Sequence, residues 1–153
     1  MLSSGSSARL FTEVREKRGL CYSVFASQIS LREVGGVMCM AGTSADRAQE
    51  TLDVILAELE RLPGSIEDDE LARLKARTKS GLVMAEEASS ARSASLARDW
   101  HYMGRTRTLD EVGRLVDELT CDSIHAFLEE HRPGDYAIVT LGPQPLEVPD
   151  GVS

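Results

Sequence analysis

The stretch Leu20-Cys-Tyr-Ser-Val-Phe-Ala-Ser-Gln-Ile-Ser-Leu31, then Arg32-Glu33, then Val34-Gly-Gly-Val-Met-Cys-Met-Ala41, decides the fold. The first run is rich in β-branched and aromatic residues (Tyr22, Val24, Phe25, Ile29), and the polar pair after it is short enough for a turn. Together they predict two antiparallel strands closed into a hairpin. Gly35 and Gly36 at the start of the second strand suggest a bulge, or the close approach of another backbone.

Upstream, Leu10, Phe11 and Val14 recur at helical spacing within Ser4 to Lys17, and Gly19 stands where a left-handed cap belongs. Downstream, helical patterns follow one another. Thr43 and Ser44 are candidate caps before a helix whose inward face is Leu52, Ile55, Leu56 and Leu59, stopping before Pro63-Gly64. Ser65 with Asp68 resembles a capping box for a second helix, with its stripe Leu71, Leu74, Thr78, Leu82 and Ala85 running to about Glu86. Ala91, Ala94, Leu96, Ala97 and Trp100 support a third helix up to Gly104. Thr108 with Glu111 forms another capping box, ahead of Leu109, Val112, Leu115, Val116 and Leu119. A last helix from Cys121 to His131 places Ile124, Phe127 and Leu128 inward. The apolar run 136–141 reads as a buried third strand, and the breaker-rich tail 144–153 as loosely held. A hairpin followed by a block of helices is an α+β pattern, with an antiparallel β-sheet covered by helices on one face. A sheet of three strands leaves edges that need a partner.

Length and charge narrow the function. The 153 residues form one domain's worth of chain, 42% hydrophobic and 27% charged, which can bury a core. Seventeen Lys and Arg against 25 Asp and Glu give a net charge of −8, so a nonspecific hold on nucleic acid or an anionic membrane has no electrostatic footing. No stretch reaches the roughly 18 consecutive apolar residues of a membrane span. The N-terminus lacks the pattern of a signal peptide. Three widely spaced cysteines, Cys21, Cys39 and Cys121, without a C-x-x-C pair, fit a reducing compartment, so a cytoplasmic location is expected.

Few residues in this chain point to catalysis by themselves. The three histidines, His101, His125 and His131, belong to neither H-E-x-x-H nor H-x-x-E-H. In Phe127-Leu-Glu-Glu-His131 a phenylalanine, with no lone pair to give, stands where the first ligand would be. His125 and Glu129 share a helical face, but zinc needs three or four ligands, so no metal is expected in this chain. There is no G-x-S-x-G elbow and no phosphate-cradling glycine spacing. The acidic run Glu67-Asp-Asp-Glu70 reads as the solvated, dipole-favoured start of a helix.

Gly5-Ser-Ser-Ala-Arg-Leu-Phe-Thr-Glu-Val-Arg-Glu-Lys-Arg-Gly-Leu-Cys-Tyr-Ser-Val24 remains, and it resembles a run in the C-terminal half of the pitrilysin/insulinase and mitochondrial processing peptidase family, the inverzincin zinc metallopeptidases. The resemblance continues through Met40-Ala-Gly-Thr-Ser44, Glu67 to Lys75, Tyr102 to Glu111 and Ile138 to Pro143. It implies a LuxS/processing-peptidase-like half-domain over residues 1–143, with a flexible tail over 144–153. It further implies the half that lacks zinc, which binds peptide substrate while another segment or chain carries H-x-x-E-H and the metal. Such a half is not expected to be an active peptidase alone. The resemblance covers about two-thirds of a half-molecule of ~200 residues, a usual domain length, so a strand and helix are expected upstream of Met1.

The same resemblance assigns substrate binding to Arg15 and Tyr22, seven positions apart. Their residue types suit the role: a guanidinium binds a peptide carbonyl or carboxylate with a fixed fork, and a phenol donates to an oxygen that gains charge in a tetrahedral transition state. The alternative fates are a surface ion pair for Arg15 and sheet packing for Tyr22. The implied partners are a zinc-bearing half or subunit and a peptide, within a homo- or hetero-oligomer. An alternative function is that of a degenerate interaction or scaffold subunit of the same family.

Overall fold

The chain runs through an opening helical segment, π-helical over Phe11–Glu16, then strands β1 (Cys21–Ser30) and β2 (Gly35–Thr43) and a 3₁₀ turn, Ala45–Arg47. Five helices follow: α1 (Ala48–Glu60), α2 (Asp68–Glu86), α3 (Ser89–Met103), α4 (Leu109–Glu118) and α5 (Cys121–Glu130). This computed structural model describes residues 2, 8–31, 33–132, 134 and 136–148. Met1–Ser65 with Leu128–Ser153 form one compact unit, and Ile66–Phe127 form a second.

The first unit is built on the hairpin. β1 and β2 pair antiparallel, with Phe25 opposite Met40, Ser27 opposite Met38 and Ile29 opposite Gly36. The opening helix packs against β1 and α1, and α1 also meets β2. Burial follows the apolar periodicity: Leu10 and Val14 are fully buried, with Ala8, Leu20, Cys21, Ile55, Leu56, Leu59 and Leu62 beside them in the buried set. Removing those side chains from water is the main favourable term in this unit. Arg9 ties the opening helix to the loop after α1, its guanidinium donating to Ser65 Oγ and to the Ser65 carbonyl, each at 2.6 Å.

The second unit is helical. α2 meets both α3 and α4, and Ile66 and Leu71 are its buried apolar residues. Thr108 caps α4, its Oγ1 accepting from the Glu111 N–H at 3.1 Å. The Glu111 carboxylate lies below the usual carboxylate range, first because Arg105 bonds it and in part because of the Thr108 N–H. Of the expected capping box, the bond from the Glu111 N–H to the Thr108 hydroxyl is formed, while the Glu111 carboxylate oxygens accept from Arg105. Asp99, buried on α3, holds the loop into α4: it accepts from the Arg107 backbone N–H at 3.0 Å and from the Arg107 guanidinium at 2.7 and 3.1 Å.

Four expectations need correction. Ser65 does not cap α2, because its hydroxyl donates to the Leu62 carbonyl and accepts from Arg9; the helix starts three residues later, behind Glu67. Gly35 and Gly36 pair regularly with Ser30 and Ile29, and the strand irregularity lies at the far end of the hairpin, between Cys21 and Ser23. The run 136–141 joins no sheet among the described residues, and Val139 and Leu141 are 95% and 104% exposed. An apolar run becomes a buried strand only when a neighbouring strand takes up its backbone groups, and periodicity does not supply that neighbour. Finally, Phe127, expected to face inward on the last helix, is exposed. The helical start proposed at Ser4 falls on residues outside those described.

Two measurements check this architecture. Leu10→Ala should lower the unfolding free energy by about 2–5 kcal/mol in urea titration, the usual cost of emptying a buried leucine site, while Leu141→Ala should change it by less than about 0.5 kcal/mol. The Arg107 guanidinium beside Asp99 holds its carboxyl below the usual range. That interaction therefore contributes fully above the unfolded pKa of about 3.9 and is lost as pH falls through the lower folded value. Asp99→Asn should reduce stability near neutral pH and flatten its decline on acidification, as read by circular dichroism.

Candidate functional site

The turn between the opening helix and β1 carries the two residues singled out by sequence. The helix widens at its end. The Lys17 N–H donates to the Thr12 carbonyl at 2.9 Å, five residues back, and the Leu20 N–H to the Val14 carbonyl at 2.9 Å. Gly19 takes φ +60°, the left-handed conformation that lets the chain leave the helix, and there its N–H donates to the Arg15 carbonyl at 3.0 Å. Leu20 and Cys21 then turn inward and are buried, which anchors the start of β1.

Tyr22 comes next, in a bulge. Cys21 faces Thr43 and Ser23 faces Gly42, so β1 takes two steps where β2 takes one, and Tyr22 is the extra residue. Such a bulge unpairs and re-aims one side chain, and Tyr22 is 86% exposed. Gly42 opposite has a steric reason to be glycine, since a Cβ there would lie 3.0 Å from Ser23 Oγ. Sheet packing, the alternative fate for Tyr22, is thus not taken.

Arg15 is exposed as well. Its guanidinium sits 4.9 Å from the centre of the Phe11 ring, a cation–π contact that steadies it without using up its donors. The neighbouring acid, Glu13, is taken by others: Lys17 Nζ at 2.6 Å and Arg18 at 2.9 Å. Those two partners, Lys17 first, hold the Glu13 carboxyl below its usual range. The Arg15 charge also reaches Cys21, drawing its thiol down against burial, which dominates and pushes it up. Arg15 is therefore electrostatically coupled to the residue next to Tyr22.

Three residues that sequence reasoning did not select hold this turn from the side of α1. The Arg47 guanidinium donates to the Gly19 carbonyl. Thr43 Oγ1 donates to the Leu20 carbonyl at 2.5 Å, and Thr51 Oγ1, buried, lies 3.3 Å from the same oxygen and 2.8 Å from the Arg47 carbonyl. The sequence suggested Thr43 only as a helix cap. Its bond spans 23 positions, and no local spacing signals such a contact.

The donors among the described residues do not fit a zinc ion. Among the described residues, no group of three or more His, Cys, Asp or Glu is arranged to hold a metal. His125 Nε2 already accepts the Ile66 N–H at 3.1 Å. Glu129, the residue one turn from His125, accepts both Nε and a terminal nitrogen of Arg132, at 2.9 and 2.5 Å. No helix among the described residues is long and apolar enough to cross a membrane.

The family model described as the peptidase M16 inactive domain matches residues 1–78. The chain belongs to this family. Among curated relatives it is 28% identical over 94% of its length to an uncharacterized zinc protease of Bacillus subtilis (strain 168), covering 35% of that protein. It is 30% identical over 93% of its length to an uncharacterized zinc protease of Mycobacterium bovis, covering 33%. It thus spans about a third of the length of the curated relatives it matches. Among solved structures, a peptidase M16 inactive domain from Pseudomonas fluorescens is 27% identical with a TM-score of 0.64, over 84% of this chain and 31% of that one. A conserved protein from Enterococcus faecalis V583 shares the fold with a TM-score of 0.72 at 22% identity, over 84% and 30%. The resemblance read from Gly5 to Val24 and the α+β architecture agree with this membership.

The M16 inactive domain's turn can be tested by crowding it. Gly42→Ala should destabilise the chain by about 1 kcal/mol through overpacking against Ser23, and by clearly less in a Ser23→Ala background. Equal costs in the two backgrounds, measured by urea titration, would show that the two strands do not meet there.

Proposed function

We propose that this chain is the noncatalytic, substrate-holding half of a zinc endopeptidase, with Arg15 and Tyr22 as the residues that meet the peptide. One observation carries the reading. Both side chains reach solvent from a single turn, Tyr22 at a bulge and Arg15 with its guanidinium resting on the Phe11 ring. A charged fork and a phenol presented in this way suit a peptide carbonyl. Arg15 would bind and orient the backbone, and Tyr22 would donate to the oxygen on which charge develops. In this reading the zinc and its ligands come from another segment or chain, since no group of donors among the described residues makes a site. The free state of Cys21, Cys39 and Cys121 fits a reducing, cytoplasmic setting.

A scaffold role is the second reading, favoured by exposed apolar side chains on one face of the hairpin, Phe25, Ile29, Met38 and Met40. A chain of complex III2 from Candida albicans has the same fold, with a TM-score of 0.70 at 22% identity. The scaffold reading predicts assembly that is indifferent to Arg15 and Tyr22.

The experiment is to supply the zinc-bearing half, joined or co-expressed, and follow cleavage of a quenched fluorescent peptide. The substrate-holding role predicts activity from the pair. Tyr22→Phe should then lower kcat by about 10²-fold, the usual loss for one oxyanion donor. Unchanged turnover in that variant would overturn the role given to Tyr22.

A further inference from the structure

We infer that Arg47 is a positioning residue: by holding the Gly19 carbonyl, with Thr43 and Thr51 on the Leu20 carbonyl, it fixes the relative placement of Arg15 and Tyr22. The inference rests on the substrate-holding reading for its functional consequence, though not for its geometry. Between Arg15 and Tyr22 lie six residues. Of these, Gly19 is in the left-handed region, where the backbone has most freedom, and the two peptide units around Leu20 set the direction in which β1 departs.

Both of those peptide units are held by their oxygens. The Gly19 carbonyl accepts from Arg47 at the end of the 3₁₀ turn. The Leu20 carbonyl accepts from Thr43, the last residue of β2, and lies within reach of Thr51 in the first turn of α1. Thr51 in turn bonds the Arg47 carbonyl and lies 3.2 Å from Thr43 Oγ1, so the three residues form one connected network. Two carbonyls caught from one side leave the turn little freedom to rotate. A peptide-binding pair needs that constraint, because displacements near 1 Å cost large factors in rate.

The chemistry separates positioning from simple stability. The Arg47 side chain is 52% exposed, and its acidic neighbour Asp46 is 4.0 Å away. Removing it therefore takes little from the core. A Cβ on Gly19 would be 3.8 Å from the Arg47 guanidinium, in ordinary contact, so the two meet without crowding. Thr43 and Thr51 are the less exposed members, and their loss would mix packing with positioning.

The test uses the full chain with ¹³C-labelled tyrosine rings, three in number, the Tyr22 signal being assigned by its disappearance in Tyr22→Phe. Arg47→Met should shift and broaden the Tyr22 ring signal while leaving those of Tyr102 and Tyr136 in place, and Arg47→Lys, which keeps a donor, should largely restore it. Thr43→Val provides a second variant and should move the same signal. In the enzyme reconstituted with the zinc-bearing half, Arg47→Met should lower kcat by about 10-fold or more with little change in KM, again with recovery in Arg47→Lys. If neither Arg47→Met nor Thr43→Val moves the Tyr22 signal, the inference is overturned, whatever Tyr22→Phe does to turnover. If both move it while Tyr22→Phe leaves turnover unchanged, the positioning stands and the substrate-holding reading falls.

Discussion

The Leu20 carbonyl is the point on which the first unit turns. Its own side chain is buried, its N–H is given to Val14 at the end of the opening helix, and its oxygen is taken by Thr43. One residue thereby links the opening helix, the first strand and the last residue of the second. The bulge at Tyr22 begins two residues later, and its form depends on that fixed departure. Every feature of the candidate site follows from this constraint: Arg15 on the near side, Tyr22 on the far side, and a left-handed glycine between them.

The hairpin ribbon has an unusual balance of surfaces. One face presents Phe25, Ile29, Met38 and Met40, while the buried apolar residues of the first unit come mostly from the opening helix and α1. Proteins that act alone rarely show a concentrated apolar face. The curated relatives, about three times as long as the matched chain, are named as zinc proteases. The substrate-holding and scaffold readings both give such a face a use, and they differ in what Arg15 and Tyr22 do.

Much of this was legible in the sequence. Alternation and β-branching in Leu20–Leu31 placed the hairpin, Thr108 with Glu111 marked the start of α4, and Gly19 marked the helix end, because each signal is local and has a single structural solution. The misses have the opposite character. Ser65 offered the residue type of a cap, but a distant arginine claimed its hydroxyl. Residues 136–141 had the composition of a strand without a described partner to complete the ladder. The π-helical widening over Phe11–Glu16 has no distinct signature, since six residues with apolar positions at 10, 11 and 14 suit either helical period. Arg15 and Tyr22 were selected through family resemblance, whereas the residues that hold their turn act across 23 to 31 positions and leave no pattern of spacing.

The most direct test of the central claim is a titration of the isotope-labelled chain with an unfolded peptide probe, such as a β-casein fragment, followed through backbone amides and arginine side chains by NMR. The account predicts saturable shifts concentrated on Arg15, Gly19, Tyr22 and Ser23, at the end of the opening helix and the start of β1. Shifts confined to α2–α4, or to the Phe25 and Met40 face of the ribbon, would contradict it and place the binding surface elsewhere.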